Sequence, residues 1–166
     1  MTTVPADTFT TSRTFNAPLA AVWSAFTDAD KLTKWWGPKD FAMNDYTLDF
    51  RSGGVFLYSM TPPGASAMWG KFIYEEIEPM KKITFINSFS DADGGVTRNP
   101  WNPTWPLEVH NTLMFEEVDG HTTLTLVGGP INASEEEIKM FGEGTADMTK
   151  GFNGTWDQLE EFLKNS

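Results

Sequence analysis

The sequence predicts an α+β fold: a curved antiparallel sheet of about seven strands gripping one long C-terminal helix, with two short helices after the first strand. Three observations carry this. Alternating segments rich in aromatic and β-branched residues, separated by turn residues, fill most of 41–127. Two short helical patterns lie between the first strand and that stretch. One apolar stripe, Phe141, Met148, Phe152, Trp156, Leu159 and Leu163, closes the chain at helical spacing.

Each element follows in order. Thr8–Phe15 is Thr-rich and alternates, as a strand does. Asn16 is the expected N-cap of the first helix, with Pro18 in its first turn and Ala21, Val22, Ala25 and Phe26 as its apolar face. Asp28-Ala-Asp30 restarts the chain into a second helix with Leu32, Trp35 and Trp36, closed by Gly37-Pro38. Strands are then expected over Phe41–Phe50, Val55–Met60, Ala67–Ile77, Ile83–Phe89, Leu107–Glu117 and Thr122–Val127. Gly53-Gly54, Pro62-Pro63-Gly64, Glu78–Lys81 and Asp119-Gly120 supply turns, the last a strong hairpin signal. Ser134 and Glu137 match a capping box. Gly142, Gly144, Gly151 and Gly154 interrupt the terminal pattern; a break near 142–144 is expected, then a continuous helix over Ala146–Lys164. From Ser90 to Pro106 there is no periodicity, but three Pro and two Trp. A loop of that length is either a lid or a passive edge loop.

Composition narrows the function. A chain of 166 residues fits a single domain, taken here as 1–166. No Cys is present, which excludes disulfides, thiolate metal sites and cysteine nucleophiles; two His exclude a polyhistidine metal centre. No cofactor or metal is therefore expected. A net charge of -11 disfavours nucleic acid and anionic membranes. The first residues, MTTVPADTF, carry no basic or apolar signal region, and no apolar run is long enough to span a bilayer, so a cytoplasmic location is expected. Aromatic residues make up 14% of the chain, more ring area than a core of this size usually needs.

A helix lying in a bent sheet can leave an elongated space between the two. Phe and Trp hold such walls apart, and Met lets them adapt. The candidate ligand-binding residues follow from that picture. Phe56 and Tyr58 share one strand face with Met60; Phe85, Asn87 and Phe89 share another; Asn111 shares a third with Leu113 and Phe115. Of Trp35 and Trp36, one plugs the core and the other, taken as Trp36, lines the cavity mouth. Trp69 is included, although Gly70 invites a bulge that would reset its direction. Trp105 comes from the long loop, and Met148 and Phe152 from the terminal stripe. An inward Asn87 or Asn111 must either meet a ligand's polar group or be satisfied by a neighbour. His110 has the parity of Glu108 and Glu116 and is expected to face outward; Asp49 and Arg51 share a face as a surface ion pair. No Ser-His-Asp grouping, G-x-S-x-G elbow or phosphate loop is found, so no catalytic residue is assigned.

The chain also resembles a known family. Pro18 with Val22-Trp23, Leu32, Lys34-Trp35-Trp36-Gly37-Pro38 and Asp49-Phe50-Arg51-Ser52-Gly53-Gly54 carry the likeness in the first third. Trp69-Gly70-Lys71, Ile77-Glu78-Pro79, Trp105-Pro106 and Thr123-Leu124-Thr125-Leu126 continue it. Met148, Gly151-Phe152 and Thr155-Trp156-Asp157-Gln158-Leu159 close it. Together they resemble the START-like (SRPBCC) helix-grip superfamily, in its bacterial branch homologous to the activator of the Hsp90 ATPase. The resemblance implies the helix-grip fold but several functions, because the fold hosts carriers, cyclases and cochaperones. The first expectation is a binder of a small apolar or aromatic molecule. The second is a polyketide cyclase or dehydratase, with His110 or Tyr58 as its acid–base group. A chaperone-ATPase activator is disfavoured, because eukaryotic activators have a further amino-terminal domain that this sequence lacks. A homodimer is compatible with the sequence.

Overall fold

The computed structural model describes residues 8–37 and 40–165; the readings made for the first seven residues and for Pro38 lie outside them. The elements are β1 (Phe9–Phe15), α1 (Leu19–Thr27), α2 (Ala29–Trp35), β2 (Ala42–Leu48), β3 (Val55–Thr61), β4 (Met68–Glu78), β5 (Lys82–Ser90), β6 (Val96–Thr97), β7 (Glu108–Val118), β8 (His121–Ile131), α3 (Glu135–Glu143) and α4 (Thr145–Lys164). The strands form one antiparallel sheet in the order β1-β8-β7-β5-β4-β3-β2, with β6 paired to β5. The chain leaves β1 at one edge, crosses through α1 and α2 to β2 at the other, and meanders back until β8 lies beside β1. α4 then packs over the curved sheet, against β1 and α2.

Local chemistry explains most boundaries. Asp28 ends α1 and caps α2, its side chain accepting the Asp30 amide. The capping box forms: Ser134 Oγ accepts from the Glu137 amide, and the Glu137 carboxylate accepts from the Ser134 amide. Asp119 and Gly120 both have positive φ, as the two central residues of a tight hairpin turn require. The helix break occurs at Gly144, and α4 starts one residue earlier than predicted. A close neighbour accompanies the break: a Cβ at Gly144 would lie 2.8 Å from the Trp105 ring.

Four local expectations are corrected. Asn16 is not the N-cap of α1; Pro18 holds that position without a side-chain bond. The free Leu19 amide instead donates to the Glu117 carboxylate of β7, 2.9 Å away. Trp36 lies outside α2, as its C-cap. The 90–106 segment contains the two-residue strand β6, so there are eight strands. β8 continues through Gly128-Gly129-Pro130 because β7 pairs alongside it as far as Ile131, and Pro130 lies beyond the end of β1.

The core is largely aromatic. Trp35 is almost fully buried, and its indole donates to the Ala25 carbonyl at 3.0 Å. Phe72 stacks on Phe85 at 4.3 Å and meets the edges of Trp36, Phe56 and Tyr74. On the β1 side, α4 is fixed by Trp156, whose indole donates to Thr11 Oγ1 at 3.3 Å, and by the Arg13–Asp157 ion pair at 2.6 Å. On the other side Gln158 Nε2 donates to the carbonyls of Gly37, at 2.7 Å, and Trp35, at 3.2 Å. Thr155 Oγ1 lies 3.2 Å from the Gly37 carbonyl and 3.2 Å from the Gly151 carbonyl of its own helix, and its one hydrogen serves the two.

Two predictions follow from this packing. Gln158→Ala strips the Trp35 carbonyl of its side-chain partner and lowers the unfolding free energy by about 1–3 kcal/mol in urea denaturation; a change below about 0.5 kcal/mol would show that packing alone holds the corner. Burial pushes the Tyr58 and Tyr74 hydroxyl pKa values above the ordinary 10.0. The folded protein therefore keeps these protons at a pH where the unfolded chain releases them. Stability is undiminished by this effect below 10.0 and falls as the pH rises through the raised folded values. Urea midpoints measured across that range drop in the wild type, and the drop is shallower in Tyr74→Phe.

Candidate functional site

Only the C-terminal half of α4 is pressed into the core: its buried residues are Thr155, Trp156 and Leu159. The N-terminal half meets β1 through Phe152, stacked on Phe9 at 5.6 Å, and an open hollow of about 280 Å³ lies beside that contact. Met148, Gly151, Phe152 and Thr155 form its helical wall; Tyr58, Met60, Met68 and Phe89 form its sheet wall. Trp36, Gly37 and Phe41 close one end, and Trp101 of the long loop stands at the rim. No lining residue is charged. Gly37 shapes this end: its φ is +105°, and a Cβ there would lie 2.5 Å from Met60 Sδ. Gly37 can therefore lie close over Met60 of β3.

Two smaller hollows adjoin it. A recess of about 80 Å³ is lined by Tyr58, Gly70, Asn87, Trp105 and Val109 among others. A pocket of about 30 Å³ lies among Trp36, Phe85, Asn87, Asn111, Leu113 and Trp156. Tyr58, Trp36 and Asn87 stand between these spaces. Burial raises the Tyr58 pKa, and the Trp36 and Asn87 side chains offset part of the rise. Asn87 also donates to the Lys71 carbonyl at 3.3 Å. Asn111 is buried and donates to the Val109 carbonyl at 3.2 Å, so its own strand supplies a partner.

The structure brings together most of the candidate residues. Trp36, Tyr58, Phe89, Met148 and Phe152 line the large hollow; Asn87 and Trp105 line the recess; Phe85 and Asn111 line the smallest pocket. Two are placed elsewhere. Phe56 is fully buried behind Tyr58, stacked on it at 4.7 Å, and reaches none of the three spaces. Trp69 points away from them, into a separate surface hollow beside Arg98 and Pro100. The β3–β4 pairing runs unbroken from Val55↔Ile73 to Met60↔Met68, so no bulge at Gly70 turns Trp69 inward. Gly70 has another role: a Cβ there would lie 2.6 Å from the Tyr58 hydroxyl oxygen.

Gly37, Phe41, Met60, Met68, Trp101, Gly151 and Thr155 line the hollow but were not candidates. Strand parity with Tyr58 already marks Met60. Gly37 and Gly151 have no side chain to signal a role, and Trp101 is placed by the loop rather than by any periodicity. That loop is built on side-chain-capped turns. The Asp91 carboxylate accepts the Asp93 and Gly95 amides, and Asn99 accepts the Trp101 and Asn102 amides. The Arg98 guanidinium pairs with the Glu137 carboxylate, tying the loop to α3. The Ser134 amide and Arg98 together hold the Glu137 pKa below the usual carboxylate range.

His110 faces outward as its parity predicts, with Nε2 2.9 Å from the Glu75 carboxylate, and lines none of these spaces. It therefore cannot act on a molecule held under α4. Arg51 and Asp49 form the expected exposed ion pair at 2.8 Å. Among the described residues no group of His, Asp and Glu is placed to hold a metal, and no helix is long and apolar enough to cross a membrane.

Comparison with known proteins agrees with this architecture. Residues 16–164 match the family model of activator of Hsp90 ATPase homolog 1-like proteins. The crystal structure of Ms6760 from Mycobacterium smegmatis is 27% identical with a TM-score of 0.76, covering 97% of this chain and 93% of that one. A solution structure from Arthrobacter aurescens is 24% identical with a TM-score of 0.79, covering 100% of this chain and 91% of that one. DynU16, from the dynemicin biosynthetic locus, shares the fold at 16% identity and a TM-score of 0.65; the match covers 96% of this chain but 48% of that one. No curated protein matches the sequence. With the family model matched over nearly its whole length and a curved antiparallel sheet holding the terminal helix, the chain belongs to the activator of Hsp90 ATPase homolog 1-like family of the START-like (SRPBCC) superfamily.

Proposed function

We propose that the protein binds a small, uncharged apolar or aromatic molecule in the hollow between α4 and the sheet. The observation that carries this reading is the hollow itself: about 280 Å³, bounded by six aromatic and three Met residues, with no charge on its wall. Rings on opposite sides suit a flat ligand, and Met60, Met68 and Met148 can adjust to its outline. A ligand burying about 250 Å² of apolar surface gains about 6 kcal/mol at 25 cal/mol per Å². Lost translational and rotational freedom offsets part of that gain, so affinities of about 1–100 µM are expected for a simple hydrocarbon-like probe.

The chemistry of the wall supports retention over turnover. Tyr58 is its one titratable side chain, and burial keeps that hydroxyl protonated. The outward His110 leaves the cyclase reading without its second acid–base candidate. The feature is also internal, whereas activation of another protein's ATPase works through an exterior surface.

Gly151 provides the test. It lines the hollow, and a Cβ there meets nothing within 4 Å. Gly151→Leu places a side chain in the opening while improving helix propensity by about 1 kcal/mol, so the variant folds at least as well. N-phenyl-1-naphthylamine, a neutral fluorescent probe, is expected to bind the wild type saturably with quenching of Trp emission. The variant is expected to bind at least about tenfold more weakly at an unchanged or raised unfolding midpoint. Equal binding by both proteins would place the probe elsewhere; no saturable binding by the wild type would remove the reading.

A further inference from the structure

The Tyr58 hydroxyl has a hydrogen to give. A phenol oxygen offers one donor hydrogen and two acceptor positions. The side chains that bear on it are Trp36 and Asn87, and both lower its pKa, as donors do. The Trp36 indole can only donate, and the Asn87 amide nitrogen donates to the Lys71 carbonyl. No hydrogen bond from the Tyr58 hydroxyl to an acceptor is present among the described residues, so its hydrogen is left to give. Tyr58 is 4% exposed, so bulk water cannot readily take it.

Position makes this donor useful. Tyr58 lies directly opposite Gly70 in the β3–β4 pairing, and the missing Cβ at 70 is what lets the phenol lie across β4. Tyr58 lines both the large hollow and the 80 Å³ recess, and its hydroxyl lies beside Gly70 on the recess wall. Neither space has a charged residue on its wall. A buried carboxylate or ammonium would find no counter-charge there and would lose its hydration without return.

We propose that Tyr58 donates a hydrogen bond to the bound molecule, and that the ligand class is a neutral apolar compound carrying a carbonyl-type oxygen, such as an aryl ketone, quinone or ester, at its inner end. This rests on the binding function proposed above. The apolar body fills the hollow, and the oxygen points toward the recess. Burial supports the assignment by keeping the phenol protonated through neutral and mildly alkaline pH.

Two probes of nearly one shape separate the possibilities: 2-acetylnaphthalene and 2-isopropenylnaphthalene, in which C=CH₂ replaces C=O. Tyr58→Phe is expected to weaken the ketone by about tenfold and leave the hydrocarbon within about twofold. The infrared carbonyl stretch of the ketone bound to wild type is expected below its value in alkane solvent. Tyr58→Phe returns it toward that value. The wild-type spectrum keeps the proposal open to refutation should the variant fold poorly. An unshifted stretch, unchanged ketone affinity in Tyr58→Phe, or equal weakening of both probes would overturn the donor role while leaving the binding site intact. Binding of neither probe by wild type would overturn the binding site and the donor role together.

Discussion

The carbonyl of Gly37 determines where α4 can lie. It accepts from Gln158 at 2.7 Å and shares the Thr155 hydroxyl hydrogen with the Gly151 carbonyl, so the C-terminal half of the helix is drawn onto the end of α2. Trp156 and Asp157 hold the same half against β1 through Thr11 and Arg13. All four anchors lie within one turn and a half of helix. The segment before them, Met148 to Phe152, touches β1 through Phe152 stacked on Phe9 at 5.6 Å and otherwise bounds the hollow. Thus the tie that closes the core also lets the opening exist. Were the anchors spread along the helix, α4 would lie flat.

Trp36 converts this arrangement into a shaped interior. It follows α2 directly, so the corner that holds α4 also aims the indole. Its ring meets Phe72 at 5.1 Å and Phe152 at 6.4 Å, both edge to face. Such contacts favour one relative orientation and fix the inner end of the space. The rest of the wall is different in kind: three Met side chains, with Trp101, which is 60% exposed, at the rim. Under the binding function proposed above, the ring-fixed end would set the orientation of a ligand and the Met side chains would adjust to its outline.

How much of this the sequence revealed depends on the range of the interactions involved. Features set within a few residues were legible: the Asp119-Gly120 turn, the Ser134–Glu137 cap, the break at Gly144, and the strand parity that places Tyr58, Asn87 and Phe89 on inner faces and His110 on the outer. The errors arose where a distant partner decides. Asn16 looks like a cap, but Glu117, about a hundred residues away, satisfies the helix end. Gly70 looks like a bulge, but its missing side chain makes room for Tyr58 on the neighbouring strand, and Trp69 keeps its outward parity. Phe56 has the parity of a lining residue and lies too deep, because Tyr58 covers it. Gly37 and Gly151 shape the hollow by what they lack, which no side-chain pattern can show.

Gly151 also bears on whether the hollow is a by-product of packing. A glycine inside a helix forgoes about 1 kcal/mol relative to alanine. Here nothing in the fold forbids a side chain: the space around a Cβ at 151 is empty, in contrast to Gly144, where Trp105 would collide. Replacing Gly151 with an apolar residue would therefore improve the helix and cover apolar wall at the same time. A sequence tuned only for a stable helix–sheet contact would be better served by such a residue. Under the binding function proposed above, glycine at this position keeps the opening of the hollow free of a side chain at the cost of that helix propensity.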